Sequence, residues 1–174
     1  MLFSTGILTI STKGARGERE DTSGAIIRSL ITAPEIGGQI TVYEIVPDDR
    51  ATIEERLRNW SDTRKLRLIL TTGGTGLSPY DVTPEATLAV LERQAPGIAE
   101  AMRLESLKHT PFGMLSRAVA GTRGSTLIIN LPGSPKGVQE CLTAILPALP
   151  HAIGILTTEI TEHPKNQNQG GDSR

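Results

Sequence analysis

A single cysteine in 174 residues, Cys141, excludes a disulfide within one chain. Its place in an apolar periodic segment reads as a buried free thiol, which suits a reducing compartment. No charge of either sign dominates: 18 basic and 19 acidic residues give a formal net charge of -1 and are spread evenly. That balance offers no electrostatic footprint for nucleic acid or an anionic membrane. The N-terminal LFSTGILTI lacks a charged leader and is too short and hydroxyl-rich for a signal or spanning segment, so the expected location is cytosolic. The three histidines, His109, His151 and His163, are scattered without zinc-ligand spacing and read as surface or structural residues.

What is present is an alternation of strand and helix patterns. Buried strands are expected at Leu2 to Ile10, Ile40 to Val46, Leu66 to Thr72 and Ser125 to Leu131, with a weaker one at Met114 to Gly121. Helical periodicity marks Ser23 to Ala33, Ala51 to Asp62, Pro84 to Gln94, Gly97 to Lys108 and Lys136 to Leu149. This order predicts one domain over residues 1–160, a three-layer α/β/α fold with a mainly parallel sheet. Ser125 to Leu131 could pair antiparallel with Met114 to Gly121. Residues 161–174 have almost no apolar side chains and read as a disordered tail.

In such a sheet ligands bind at the carboxyl ends of the strands. Four loops lie there: STKGARGEREDTSG, PDD, GGTGLSPYDVTPEA and LPGSPKG. Gly73, Gly74 and Gly76 suit either a tight turn or a backbone that approaches an anion with its N–H groups exposed. The P-loop and dinucleotide patterns are both rejected: no Lys-Ser/Thr follows, and Pro79 stands where a third glycine would fall. Thr83 is expected to cap a helix whose first residue is Pro84, and Asp49 to cap the helix near Arg50. Asp81 and Asp48 are then left without a capping duty. Two such carboxylates beside amide-lined loops call for a cation bridging to phosphate, and Mg²⁺ is the expected one.

The sequence also resembles a known family. TTGGTG followed by DVTPEA, then TPFGMLSRAVAG and STLIINLPGSPKGVQEC, is similar to the molybdopterin adenylyltransferases of MogA and MoaB type, which include the G domain of gephyrin. The similarity runs from about Gly6 to Leu149, and the ordered combination of motifs is far more specific than GGTG alone. It implies a molybdopterin-binding fold, usually a homotrimer, that uses Mg-ATP to adenylylate molybdopterin in molybdenum cofactor biosynthesis. Trimerisation rests on the resemblance alone, since aromatics are 3% and no heptad seam is visible. A molybdenum insertase is the implied downstream partner.

Carried over by residue, Asp48 and Asp81 are the acidic pair for Mg-ATP, as catalytic and metal-holding groups. Gly73, Gly74, Thr75 and Gly76 match the anion-cradling turn, Ser116 the serine of SRA, and Pro132, Gly133 and Ser134 the second ligand loop. Gly17, Asp21, Ser23 and Gly24 match the GxxxDxSG segment. Several residues also have plainer readings: Asp21 and Ser23 as a helix cap, Ser116 bonded to its own backbone, and Arg117 in structure or a subunit contact. Thr12-Lys13, Ala25 and Tyr80 depart from residues frequent in the family; Lys13 could replace the phosphate contact of an arginine absent at position 80, or lie solvated. A nucleotide pyrophosphatase, as in competence-damage proteins of similar fold, ranks lower, since residues 77–81 do not reproduce their GGxGPTxDD pattern. The alternative from another class is a non-catalytic trimeric module that binds molybdopterin for an insertase or acts as a scaffold.

Overall fold

The computed structural model describes residues 2–157. His163 and the expected tail at 161–174 lie outside them. The strands are β1 (Phe3–Ile10), β2 (Gly38–Val46), β3 (Leu68–Thr72), β4 (Arg93–Gln94), β5 (Ala120–Arg123) and β6 (Thr126–Leu131). They form one sheet in the order β2-β1-β3-β6-β5-β4. β2, β1, β3 and β6 run parallel, while β5 and β4 extend the edge antiparallel.

β1, β3 and β6 are buried on both faces and apolar at successive positions, whereas β2, expected as a buried strand over Ile40 to Val46, lies at the sheet edge and is mostly half-buried. Ile7, Leu68, Leu70, Leu127 and Ile129 point to one face. There they meet α2 (Thr22–Ile31), α5 (Pro96–His109), α6 (Pro135–Ile145) and α7 (Leu149–Leu156). Leu8, Ile69 and Ile128, each adjacent in sequence to one of those residues, point to the other face against α3 (Arg50–Arg58), Trp60 and α4 (Thr83–Val90). A short α1 (Thr12–Ala15) lies in the loop after β1.

Some boundaries differ from expectation, each for a local reason. Met114 to Gly121 is not a strand: Pro111–Leu115 form a 3₁₀ turn, and only Ala120–Arg123 pair antiparallel with β6. The helix expected to reach Gln94 stops at Val90, because Arg93 and Gln94 pair with Thr122 and Gly121. The helix expected over Lys136 to Leu149 breaks after Ile145 into a 3₁₀ turn containing Pro147, which has no N–H to continue the ladder. α3 likewise ends at Arg58 and passes into a π-helical turn, Asn59–Thr63, that buries Trp60.

Within the 22-residue run Pro135–Leu156 an 18-residue stretch reaches a mean hydropathy of 1.2, enough by length and composition to cross a membrane. Its apolar stripe, including Val138, Leu142, Leu149 and Ile153, is instead buried in the first core. Cys141 lies on the same stripe, and burial pushes its thiol above the usual range.

Candidate functional site

The parallel strands end together at Ile10, Val46, Thr72 and Leu131, and the loops that follow them form one rim. After β3 the chain turns sharply: Gly73 has φ +97° and Gly74 φ +66°. A Cβ on Gly73 would stand 2.3 Å from the Ile10 carbonyl oxygen, and one on Gly74 2.3 Å from Thr83 Oγ1. Only glycine fits either place. Thr83 is not the expected cap; Val82 occupies that position without a side-chain bond, and Thr83 is the first helical residue. Its hydroxyl donates instead to the Gly73 carbonyl at 2.9 Å, tying the turn to α4.

The turn's carbonyls are engaged from behind by Arg117. Its Nε donates to Gly76 O at 2.7 Å and one terminal nitrogen to Asp81 O at 2.7 Å, while its backbone N–H donates to Thr75 O at 2.9 Å. The guanidinium also pairs with Glu85, whose carboxyl it holds below the usual range. Arg117 is therefore a structural clamp, the plainer of its two readings. Lysine cannot span three separated acceptors. Arg117→Lys is expected to lower stability by about 2 kcal/mol, the scale of a lost charged hydrogen bond. The corresponding fall in thermal midpoint is roughly 4–8 °C; an unchanged midpoint would remove the clamp.

With their carbonyls held, the backbone N–H groups of Gly74, Thr75 and Gly76 donate to no other described residue, and neither do those of Gly133 and Ser134 in the loop after β6. Pro132 O accepts from Thr72 Oγ1 at 2.7 Å and Gly133 O from Ser23 Oγ at 2.8 Å, so that loop is anchored as well. Ser134 caps α6 by accepting from Gly137 N at 3.1 Å. Ser116 Oγ accepts from Ala118 N at 3.3 Å, in line with its backbone-bonded reading, and still borders a cavity.

The two carboxylates flank the glycine turn. Asp49 is the cap of α3, accepting from Thr52 N, as expected. Asp48 is not idle: its Oδ2 accepts from Thr12 N at 2.9 Å and Thr12 Oγ1 at 2.7 Å. Asp81 Oδ2 accepts from Ser78 N at 2.9 Å. In both residues Oδ1 accepts nothing from the described residues.

Asp21 and Gly24 sit at the start of α2, where Asp21 is the expected helix cap and also joins residues distant in sequence. Asp21 caps α2 through Gly24 N, and its other oxygen accepts from the hydroxyls of Thr9 and Tyr43. A Cβ on Gly24 would lie 2.4 Å from Asp21 Oδ2 and 2.7 Å from the Tyr43 ring, so this glycine permits close packing. Burial, then the bond to Asp21, pushes the Tyr43 phenol from 10.0 up to about 12. The folded state thus keeps the proton that the unfolded chain releases near pH 10. This contribution is complete below pH 10 and is lost as pH rises toward about 12. Thermal midpoints should fall across that window, and Tyr43→Phe should flatten the fall; an equal slope in the variant would contradict the coupling.

Three adjoining cavities open along the rim. The central one, about 380 Å³, is bordered by Asp21, Ser23, Asp48 and Gly73. The largest, about 450 Å³, contains Thr75, Asp81, Ser116 and Cys141 on its walls and shares Gly74, Gly133 and Ser134 with the central one. The third, about 380 Å³, shares Ser11, Arg19 and Asp48 with the central one. Asp48 and Asp81 therefore face different cavities, with Gly74 bordering the central and largest ones. Pro132 lines the largest cavity; Gly17, at φ +72°, lines none. Of the histidines, His109 borders the largest cavity, 3.1 Å from Glu105 and 3.7 Å from Glu140, and His151 lies exposed on α7.

Comparison with known proteins places the chain in a family. Residues 6–151 match a family described as a probable molybdopterin binding domain. Molybdopterin adenylyltransferase of Helicobacter pylori is 42% identical over 151 residues, covering 87% of this chain and 86% of the relative. The molybdenum cofactor synthesis protein cinnamon of Drosophila melanogaster is 46% identical over 156 residues, 90% of this chain; the chain spans only 26% of cinnamon's length. The molybdopterin biosynthesis enzyme MoaB from Thermus thermophilus superposes with a TM-score of 0.85 at 54% identity, covering 90% of this chain and 98% of that one.

Proposed function

The chain belongs to the molybdopterin adenylyltransferase family of molybdenum cofactor biosynthesis, and we propose that it transfers the adenylyl group of Mg-ATP to molybdopterin, releasing pyrophosphate. The observation that carries this reading is the set of unpartnered N–H groups on Gly74, Thr75, Gly76, Gly133 and Ser134, all on the wall of the largest cavity, with Gly74, Gly133 and Ser134 also bordering the central one. Converging backbone amides suit phosphate oxygens.

The pterin occupies the largest cavity, and the reacting phosphates lie at its junction with the central one. An oxygen of molybdopterin's phosphate bonds to the α-phosphorus of ATP as the bond to the bridging oxygen breaks. A phosphomonoester is largely dianionic at neutral pH, its second pKa being about 6. No side chain has to remove a proton, and the loop amides act by positioning and charge stabilisation. Asp48 and Asp81, each with a free Oδ1, fit Mg²⁺ that arrives with the nucleotide. Among the described residues no group of three or more His, Cys, Asp or Glu could hold a metal, and Mg²⁺ needs only one or two carboxylates beside phosphate oxygens. When bound, the ion neutralises charge that would otherwise repel these carboxylates.

Homotrimer assembly and hand-over to a molybdenum insertase belong to the same proposal, with the family resemblance as their support. Mixing protein, molybdopterin and Mg-ATP should release pyrophosphate only when all three are present. Tight molybdopterin binding without pyrophosphate would leave a binding or scaffold module.

A further inference from the structure

We infer that Tyr80 forms the floor of a nucleobase subsite in the third cavity, where it stacks against the purine of ATP. The inference rests on the adenylylation reading, which puts the reacting phosphates beside the central cavity. Of the six residues lining the third cavity, Ser11, Arg19 and Asp48 also line the central one, and the others are Thr12, Lys13 and Tyr80. A nucleotide whose α-phosphate lies at the junction of the largest and central cavities can run its ribose through the central one, which opens past Ser11, Arg19 and Asp48 into the third. The largest is taken by the pterin.

The chemistry of the walls fits the remaining half of a nucleotide. Tyr80 is 77% exposed although aromatic, and its side chain makes no hydrogen bond within the described residues. The backbone that carries it is held: Tyr80 N donates to Ser78 Oγ at 3.3 Å, and the next residue, Asp81, is anchored at both its carboxylate and its carbonyl. Lys13 and Arg19 have no acidic partner within 4 Å among the described residues, which leaves two cations at the mouth shared with the phosphates.

The walls offer a ring face, and the neutral side chains beside it are already engaged. Thr12 is consumed by its exchange with Asp48, in which its N–H and hydroxyl donate and its hydroxyl accepts from Asp48 N. Ser11 Oγ already accepts from Gly14 N. The base is therefore held by its face, a mode that tolerates different bases.

Calorimetric titration of the full chain with Mg-ATP, Mg-GTP and AMP, without molybdopterin, tests this. Tyr80→Ala should weaken ATP and AMP alike by about 10-fold or more, the scale of one base–aromatic stack. Tyr80→Phe should bind within about twofold of the unsubstituted protein, ATP and GTP should agree within about tenfold, and molybdopterin affinity should not change. Unchanged nucleotide affinity in Tyr80→Ala, with pyrophosphate still released by the unsubstituted protein, overturns the subsite alone. An unsubstituted protein that binds no nucleotide overturns both the subsite and the adenylylation reading.

Discussion

Asp81→Asn and Asp48→Asn should each slow adenylylation by roughly 10²–10³-fold, the loss seen when one preorganised electrostatic group is removed, while the fold remains intact. Asparagine's carbonyl can still accept from Ser78 N at position 81, and from Thr12 N and Oγ1 at position 48, so the loops keep their anchors. What disappears is the negative charge. A carboxylate about 4 Å from a phosphate charge is repelled by roughly 4 kcal/mol at an effective dielectric near 20, and an intervening cation reverses the sign. The asparagine variants should therefore bind Mg-ATP more weakly and metal-free ATP more tightly. If both forms of the nucleotide change in the same direction, the carboxylates do not act through a metal.

Gly73→Ala should be the most destabilising single methyl added to the rim. At φ +97° the new side chain is strained, and its Cβ would lie 2.3 Å from a backbone oxygen, Ile10 O, which cannot move without distorting β1. A loss of about 3–5 kcal/mol is expected, read as a fall of roughly 6–20 °C in thermal midpoint. Gly133→Ala makes the contrast: its Cβ would meet Gly73 Cα at 3.3 Å, without positive φ, so a shift of a few tenths of an ångström relieves it. That variant should stay within about 1 kcal/mol of the unsubstituted protein. Equal midpoints for the two alanines would mean that the turn is more pliable than its geometry implies.

The inner parallel strands were legible because they are apolar on both faces: Leu68, Ile69 and Leu70 can be buried only between two layers of helices. The antiparallel edge was not. Arg93 and Gln94 are exposed and polar, and pair only because Ala120 to Arg123 bring a second edge to them. On the rim, the glycines and the capping role of Asp49 followed from local backbone rules. Thr83 was misjudged because Ser/Thr before proline suits a cap, whereas here the hydroxyl has a better acceptor ten residues away in Gly73 O. The Asp21–Tyr43–Thr9 cluster joins three separate elements, and spacing along the chain carries no trace of it. Nor could spacing show that Asp48 and Asp81 face different cavities, since that depends on how the loops after β2 and β3 settle around Gly74.

The proposed activity depends on adenylyl transfer at the junction of the central and largest cavities. ATP labelled at the α-phosphorus and incubated with magnesium, molybdopterin and the protein tests it most directly. The label should appear on a pterin product in a one-to-one ratio with unlabelled pyrophosphate. Label found only in ATP, while molybdopterin is tightly bound, would contradict it.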